Sequence, residues 1–193
     1  GYSIWFKPFG MLSQGSKWGD HCTIARWVET HLMPQRPAII VHRLDRAATG
    51  LMIVAHAKQV AAAFTTMFEQ RQLEKTYTAI VHGKVDTEVT FRAPIDDKPA
   101  ISHLSALSYD APRDRSLVEV RIETGRKHQI RRHLADAGHP IVGDRLFGKQ
   151  EDAVEHDLCL TASALTFVSP TDGERKRYEL PRELRLSLDT PPQ

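Results

Sequence analysis

The spacing of apolar side chains predicts three short helices. Apolar residues recur every three or four positions over residues 24–32, behind Asp20 and Thr23, and two prolines close that segment. The same period over about 58–71 predicts a second helix that packs on a sheet. A third helix is predicted over residues 128–137, with Gly138 as its C-terminal cap.

Runs of β-branched or alternating apolar residues predict a larger number of strands. The polar stretch His42–Gly50 separates two of them and is expected to be a loop, and Pro170–Gly173 is expected to turn a terminal hairpin. Because strands outnumber helices and most connections are short, the sequence predicts an α+β fold with a mixed, largely antiparallel β-sheet core and flanking helices. The predicted strands cover residues 39–41, 51–55, 76–81, 118–123, 165–168 and 177–180.

Composition and length predict one folded domain over residues 1–193. Hydrophobic residues make up 41% of the chain and charged residues 26%, as in ordinary globular proteins. No apolar run approaches the length of a membrane span, and no secretory signal is visible. Cys22 and Cys159 are far apart and form no CxxC pair, so a disulfide framework is not expected and a reducing, cytoplasmic setting fits best.

Positive charge is concentrated between Arg113 and His133, although the net charge of the chain is only +2. This window holds seven Lys or Arg residues against three acidic ones, a local charge of +4. A phosphate backbone is one ligand that such a surface binds. A solvated basic face is the alternative, and charge alone favours nucleic acid only slightly.

The segment His42–Arg46 surrounds one carboxylate, that of Asp45, with potentially cationic side chains. Arginines within reach would keep the pKa of Asp45 low and its oxygens available as nucleophile or base. A structural ion pair within a loop is the alternative. The pentapeptide alone favours that structural interpretation.

The segment 124–133 combines a glycine turn, basic side chains and the start of a helix. Backbone N–H groups at such a helix start are unpaired, and with Arg126 and Lys127 beside them they suit an anion such as phosphate. On the helix, Ile130 and Arg131 are adjacent, so one can enter the core while the other borders it. An arginine at a core edge is well placed to meet a carboxylate.

Tyr77 lies in a predicted strand, within the segment Lys75–Ala79. It offers an aromatic face for stacking on a base and a hydroxyl for acid–base steps, although half-buried packing is the ordinary role of a strand tyrosine. The ten histidines show no metal-ligand spacing, and the motifs GxxxxGK[ST], GxGxxG and GxSxG are absent. The remaining chemistry centres on an aspartate and needs no cofactor.

Taken in order, these segments resemble the motifs of the RluA-type pseudouridine synthases, over about residues 7–148. The resemblance implies isomerisation of a uridine in RNA to pseudouridine, with no metal or organic cofactor, in a cleft across the sheet. The matching blocks are Lys7–Met11 (KPxG), His42–Asp45 with Thr49–Gly50 (HRLDxxTSG), Lys75–Ala79 (KxYxA), and Thr124–Leu134 with Gly138–Asp144 (TGRxHQxRxHL and GHPIxGD).

The resemblance also implies a role for each site residue. Asp45 is the catalytic carboxylate, Tyr77 stacks on the target uracil and assists proton removal, and Arg131 is the ion-pair partner of Asp45. Ile130 packs beside the pocket, and Arg43 inserts into the RNA where the target base has left the helix. The other residues implied in RNA binding are His42, Arg126, Lys127 and Arg132.

Two positions depart from the family's pattern. Ala48–Thr49 stands where Thr-Ser is usual, and Thr161 stands where a histidine is frequent. The first departure keeps open a second hypothesis, an RNA-binding or chaperone-like module that has the fold without the chemistry. A third, a metal-dependent hydrolase, is disfavoured by the histidine spacing.

The expected partner is an RNA stem-loop, ribosomal or transfer. We expect no membrane association, no obligate protein partner and a monomeric protein. Because the chain starts at the first motif, we also expect no accessory RNA-binding domain of the S4 kind. The choice of uridine is not written in a linear motif, since structured RNA is recognised by shape and by flipped bases.

Overall fold

Residues 1–15, 22–151 and 155–189 are described in the computed structural model; Asp20, expected before the first helix, lies outside them. The chain divides into two compact units. Unit 1 comprises Gly1–Leu73 and Ala164–Glu179, and unit 2 comprises Glu74–Ser163 and the segment that begins at Leu180. The expectation of one domain over residues 1–193 stays a prediction.

Unit 1 is built around one buried strand. β1 (Tyr2–Lys7) and β2 (Ile39–Ile40) both pair antiparallel with β3 (Thr49–Ala55). The apolar run 51–55 of β3 is buried throughout, which explains why it shows no alternation of polar residues. The predicted terminal hairpin is confirmed, because the end of β8 (Leu160–Val168) pairs antiparallel with β9 (Arg175–Glu179).

Two helices belong to unit 1, and both were predicted. α1 (Ile24–His31) begins after Thr23, whose side-chain oxygen accepts a hydrogen bond from the backbone N–H of Arg26 at 3.1 Å. α2 (Lys58–Glu69) ends two residues before the predicted boundary, because Arg71 has a φ of +56° and leaves the helical conformation. Phe64 of α2 is buried.

Aromatic packing holds α2 against the strands of unit 1. The ring of Phe64 lies 5.2 Å from that of Tyr2 in β1 and 5.2 Å from that of Phe167 in β8, both in edge-to-face geometry. The expectation that this helix packs on a sheet is therefore confirmed within the unit.

Unit 2 contains four antiparallel strands. In spatial order they are β4 (Glu74–His82), β7 (Arg115–Ile122), β6 (Ser102–Asp110) and β5 (Val89–Phe91). On the other edge of β4, the N–H of Ile80 donates to the carbonyl of Cys159, just before β8. α3 (Gln129–Asp136) is one residue shorter at each end than predicted, and a short 3-10 helix covers Arg182–Leu184.

The α+β class and the largely antiparallel strands are confirmed. Strands β5 and β6 were not predicted, since β6 is rich in serine and its pairing with β7 shifts register between Ala106 and Ser108. Such a bulge breaks the period of two on which a strand prediction depends.

No helix within the described residues is long and apolar enough to cross a membrane. The cleft across the sheet stays a prediction.

Candidate active site

Asp45 lies on the loop between β2 and β3, and both of its neighbours are held by the residues that follow β1. On one side, the N–H of Leu44 donates to the hydroxyl of Ser13 at 3.0 Å, and the same hydroxyl donates to the carbonyl of Leu44 at 2.9 Å. On the other side, the N–H of Gly10 donates to the carbonyl of Arg46, and Arg46 Nε donates to the carbonyl of Gly10, both at 3.0 Å. The loop is therefore fixed immediately before and after Asp45.

Lys7 adds a buried charge to this loop. Its side chain is 0% exposed, and Nζ donates to the carbonyls of Pro8 (3.0 Å), Met11 (2.9 Å) and Arg46 (3.2 Å). Burial lowers the pKa of Lys7 to about 8, and the negative charge of Asp45 acts in the opposite direction. The Lys7 ammonium therefore links the end of β1 to the loop that carries Asp45, and its charge interacts with the charge of Asp45. The sequence predicted Lys7 only as the first residue of the KPxG match and did not indicate its burial.

The turn after Asp45 is closed by the backbone. The N–H of Ala48 donates to the carbonyl of Asp45 at 3.1 Å, and the Ala48 side chain is 2% exposed. β3 begins at the next residue, Thr49. The departure from the family motif at position 48 is therefore a buried methyl group in a turn that the backbone closes.

His42 and Arg43 differ in their surroundings. His42 Nε2 accepts a hydrogen bond from the N–H of Ile53 in β3 at 2.9 Å, and its ring lies 5.1 Å from that of Phe68. Nε2 carries no proton in this contact, because it accepts the hydrogen bond. The contact links the loop to β3. Arg43 is exposed. The RNA-binding roles of both residues stay predictions.

In unit 2, Arg131 forms a bidentate ion pair with Asp144. Nε donates to Oδ2 at 2.7 Å and Nη2 to Oδ1 at 2.6 Å, with Arg131 4% exposed and Asp144 1% exposed. The expectation that one of Ile130 and Arg131 would enter the core while the other bordered it is wrong, because both are buried. The carboxylate of Asp144 makes this burial of a guanidinium possible. The predicted pair between Asp45 and Arg131 stays a prediction.

The sequence indicated no role for Asp144, although this residue ends the GHPIxGD match. Burial alone would raise the pKa of its carboxyl group. Hydrogen bonds from Arg131 and from the backbone N–H groups of Leu146 and Phe147 outweigh burial and hold that pKa below its usual range. The ring of Phe147 also lies 5.2 Å from Arg131 Cζ. The charged pair is therefore hydrogen-bonded on one side and covered by an aromatic ring.

Tyr77 lies in β4, 7% exposed, opposite Val120 of β7. Lys75 is two residues earlier and shares the same face of the strand. Burial lowers the pKa of Lys75 to about 8, and its Nζ lies 3.4 Å from where a Cβ on Gly125 would stand. The KxYxA strand and the turn before α3 are thus adjacent within unit 2.

The start of α3 is occupied by the side chain of Gln129. Its Oε1 accepts from the Thr124 hydroxyl at 2.7 Å and from the N–H of Arg126 at 3.1 Å. Its Nε2 donates to the carbonyl of Ile101 and to the hydroxyl of Ser102, both at 2.9 Å. The expectation of unpaired N–H groups at this turn is wrong for Arg126, because its N–H donates to the side chain of Gln129.

The three basic residues expected to hold RNA lie near the surface of unit 2. Lys127 is exposed, Arg126 Nε donates to the carbonyl of Pro99 at 3.0 Å, and Arg132 pairs with the exposed carboxylate of Asp96 at 2.9 Å. The hydrogen bond from Arg132 lowers the pKa of Asp96. Within the described ranges, no group of three or more His, Cys, Asp or Glu side chains is arranged to hold a metal ion.

Comparison with known proteins identifies the class. The family model described as RNA pseudouridylate synthase matches residues 1–136. An uncharacterized RNA pseudouridine synthase of Chloroflexus aurantiacus is 33% identical over 204 residues, which cover 94% of this chain and 64% of that protein. The tRNA pseudouridine synthase C of Vibrio parahaemolyticus is 33% identical over 208 residues, 87% of this chain and 81% of that protein.

A solved structure agrees in fold. Human RNA pseudouridylate synthase domain containing 1 superposes with a TM-score of 0.77 at 24% identity, over 93% of this chain and 79% of that one. The chain therefore belongs to the RNA pseudouridylate synthase family. It spans somewhat less than two thirds of the length of the Chloroflexus relative.

The proximity of Lys7 and Asp45 predicts a measurable shift. Asp45→Asn removes the negative charge that raises the pKa of Lys7. We therefore expect this pKa, about 8 in the wild type, to be lower in the variant. Titration of the lysine side chains by ¹³C NMR measures this value, with the exposed Lys84 as internal control. An unchanged or raised pKa of Lys7 would show that the two charges do not interact.

The Asp144 ion pair predicts a stability effect. Asp144→Asn removes the carboxylate that accepts two hydrogen bonds from the buried guanidinium of Arg131, which is expected to lower the free energy of unfolding by about 3–5 kcal/mol. Urea denaturation measures the change. The matched control is Asp172→Asn, which breaks an exposed contact to Lys176 and should have a much smaller effect. Equal losses in the two variants would contradict this account of the buried pair.

Proposed function

We propose that this protein isomerises a uridine in structured RNA, ribosomal or transfer, to pseudouridine, with Asp45 as the catalytic carboxylate. One observation carries the proposal: the aspartate of the HRLD motif lies on a loop clamped at both neighbouring residues, beside the buried ammonium of Lys7. Membership of the RNA pseudouridylate synthase family supports it.

The chemistry of the isomerisation fits a site built from side chains alone. The bond between N1 of uracil and C1′ of ribose breaks, the base turns, and a bond from C5 to C1′ forms. C5 loses a proton and N1 gains one, so neither water nor an oxidant is consumed. Whether Asp45 attacks the nucleoside or removes a proton, it acts as a carboxylate, and its charge interacts with that of Lys7.

The other roles follow the family motifs. A stacked base cannot turn around, so the nucleotide leaves the RNA helix, and the exposed Arg43 fills the gap. Tyr77 stacks on the released uracil and assists proton removal. Arg131 is the ion-pair partner of Asp45, and Ile130 packs beside the base. Phosphate and backbone contacts come from His42, Arg126, Lys127 and Arg132.

The first experiment measures release of tritium from C5. Total RNA labelled with [5-³H]uridine, from a strain that lacks the gene, is incubated with the purified protein. Asp45→Asn is expected to abolish release while RNA binding persists, because the substitution removes the charge and keeps the shape. The matched control is Asp172→Asn in unit 1, which should release tritium as the wild type does.

Undiminished release by Asp45→Asn would exclude Asp45 as the catalytic carboxylate. If instead the wild-type protein releases no tritium but binds RNA in a salt-dependent way, the RNA-binding or chaperone-like module becomes the better hypothesis. Maps of pseudouridine in RNA with and without the gene then identify which uridine, if any, is modified.

The basic surface of unit 2 predicts a separate effect on RNA affinity. Lys127→Ala should weaken binding to the same RNA and reduce the slope of log affinity against log salt by about 1, as expected for one lost phosphate contact. Its rate of tritium release at saturating RNA should not change. The exposed Lys84, paired with Asp86, provides the control substitution Lys84→Ala. A salt slope equal to that of the wild type would remove Lys127 from the RNA-binding residues.

A further inference from the structure

We propose that Asp144 is a positioning residue that sets the orientation of Arg131 for the proposed reaction. The inference rests on the proposed function, since it concerns the arginine of the TGRxHQxRxHL motif. It adds a residue for which neither composition nor motif spacing indicated a role. The argument depends on three observations within unit 2: the geometry of the ion pair, the construction of the turn that carries Asp144, and the position of Phe147.

The geometry of the pair fixes the guanidinium in a single orientation. A guanidinium is planar and has five N–H donors. Asp144 binds the edge formed by Nε and Nη2, at 2.7 and 2.6 Å. Two parallel hydrogen bonds hold both the plane of the group and its rotation within that plane, which a single contact from a lysine would not do. The edge that carries Nη1 is thereby directed away from Asp144.

Asp144 is itself held rigidly by the turn on which it lies. Its Oδ1 also accepts hydrogen bonds from the N–H groups of Leu146 (2.9 Å) and Phe147 (3.1 Å), and the N–H of Gly148 donates to its carbonyl at 2.9 Å. A Cβ on Gly148 would stand 2.5 Å from that carbonyl oxygen, and Gly143 has a φ of +75°. The glycines on either side of Asp144 are therefore required for this tight turn.

Phe147 completes the arrangement from the same turn. Its ring lies 5.2 Å from Arg131 Cζ, and it also contacts the ring of His128, the residue before α3, at 5.6 Å. The hydrogen bond from its own N–H to Asp144 ties the ring to the carboxylate. One short turn thus provides both the anion that orients the guanidinium and an aromatic ring that covers it.

Stability alone does not account for a buried pair of this kind. Two buried charges usually stabilise a fold no more than an apolar pair of the same volume does, because both must be taken out of water. The pair does fix the direction of a charge, which an apolar pair cannot do. The buried, bidentate geometry at a motif arginine therefore indicates positioning as the role of Asp144.

The test compares single-turnover rates of tritium release from the [5-³H]uridine-labelled RNA described above. Arg131→Met and Asp144→Asn are each expected to lower the rate by about 100-fold, as misplacement of an active-site group typically does. The double variant R131M/D144N should be within about twofold of R131M, because Asp144 acts only through Arg131. RNA affinity should stay near that of the wild type in all three variants.

A conservative variant covers the case in which Asp144→Asn does not fold. Asp144→Glu keeps a carboxylate at this position but moves it by one methylene group. We expect a folded protein by circular dichroism, RNA affinity near that of the wild type, and a rate lowered by at least about tenfold. The control Ser116→Ala removes a buried hydroxyl that bridges Gly83 and Val85, and should lower stability without lowering the rate.

The outcomes separate this inference from the function on which it rests. Wild-type protein that releases no tritium would contradict the proposed function and this inference with it. Wild-type release together with a wild-type rate for Asp144→Glu would overturn the inference alone. The inference would also be overturned if Asp144→Asn lowered the rate by the same factor in the R131M background as in the wild type. That result would mean that the two residues act independently.

Discussion

The ammonium of Lys7 is enclosed by protein and donates to three backbone carbonyls, one of which belongs to Arg46, the residue after Asp45. A buried charge is costly unless hydrogen bonds compensate it, so the chain around Lys7 must keep those carbonyls in place. The pairing of β1 with β3 sets where this charge lies, with Lys7 opposite Gly50 at the start of β3. A slip of one residue would turn the lysine to the other face.

Unit 2 contains a second buried charge, compensated in a different way. There a guanidinium is paired with a carboxylate, and each of the two groups limits the conformations of the other. Lys7 binds neutral carbonyls, whereas Arg131 binds a carboxylate. In the proposed function, the first arrangement holds the loop that carries Asp45, and the second orients the guanidinium of Arg131.

Local patterns predicted the elements that show either a regular period of apolar side chains or, as in β3, an unbroken apolar run. The three helices, β3, β4, β7 and the terminal hairpin were predicted within a few residues, and the motif match identified the loop of Asp45. Burial of charged residues was not predictable, because a lysine after a strand or an arginine on a polar helix is ordinarily exposed. Asp144 is thirteen residues from Arg131 and at no helical or strand spacing, so only the folded turn brings them together.

Gln129 shows the same limit at the start of α3. The letters TGRKHQ suggested free N–H groups, and only the folded chain turns the glutamine side chain back onto the N–H of Arg126. Ala48–Thr49 is the opposite case. The departure from the motif suggested that the contacts of the loop differ, but those contacts do not depend on the side chain at position 48. The turn there is closed by main-chain atoms, and the contacts that hold the loop come from Lys7, Gly10 and Ser13.

Because those contacts precede Asp45 along the chain, a different side chain at position 48 removes none of them. The hypothesis of a module that keeps the fold without the chemistry was motivated by this departure alone. Its physical basis is weakened, since a buried alanine methyl group fits the turn and its N–H still bonds to the carbonyl of Asp45. The proposal of a catalytic Asp45 therefore depends on the contacts that Lys7, Gly10 and Ser13 make with its loop, and not on the residues that follow Asp45 in the motif.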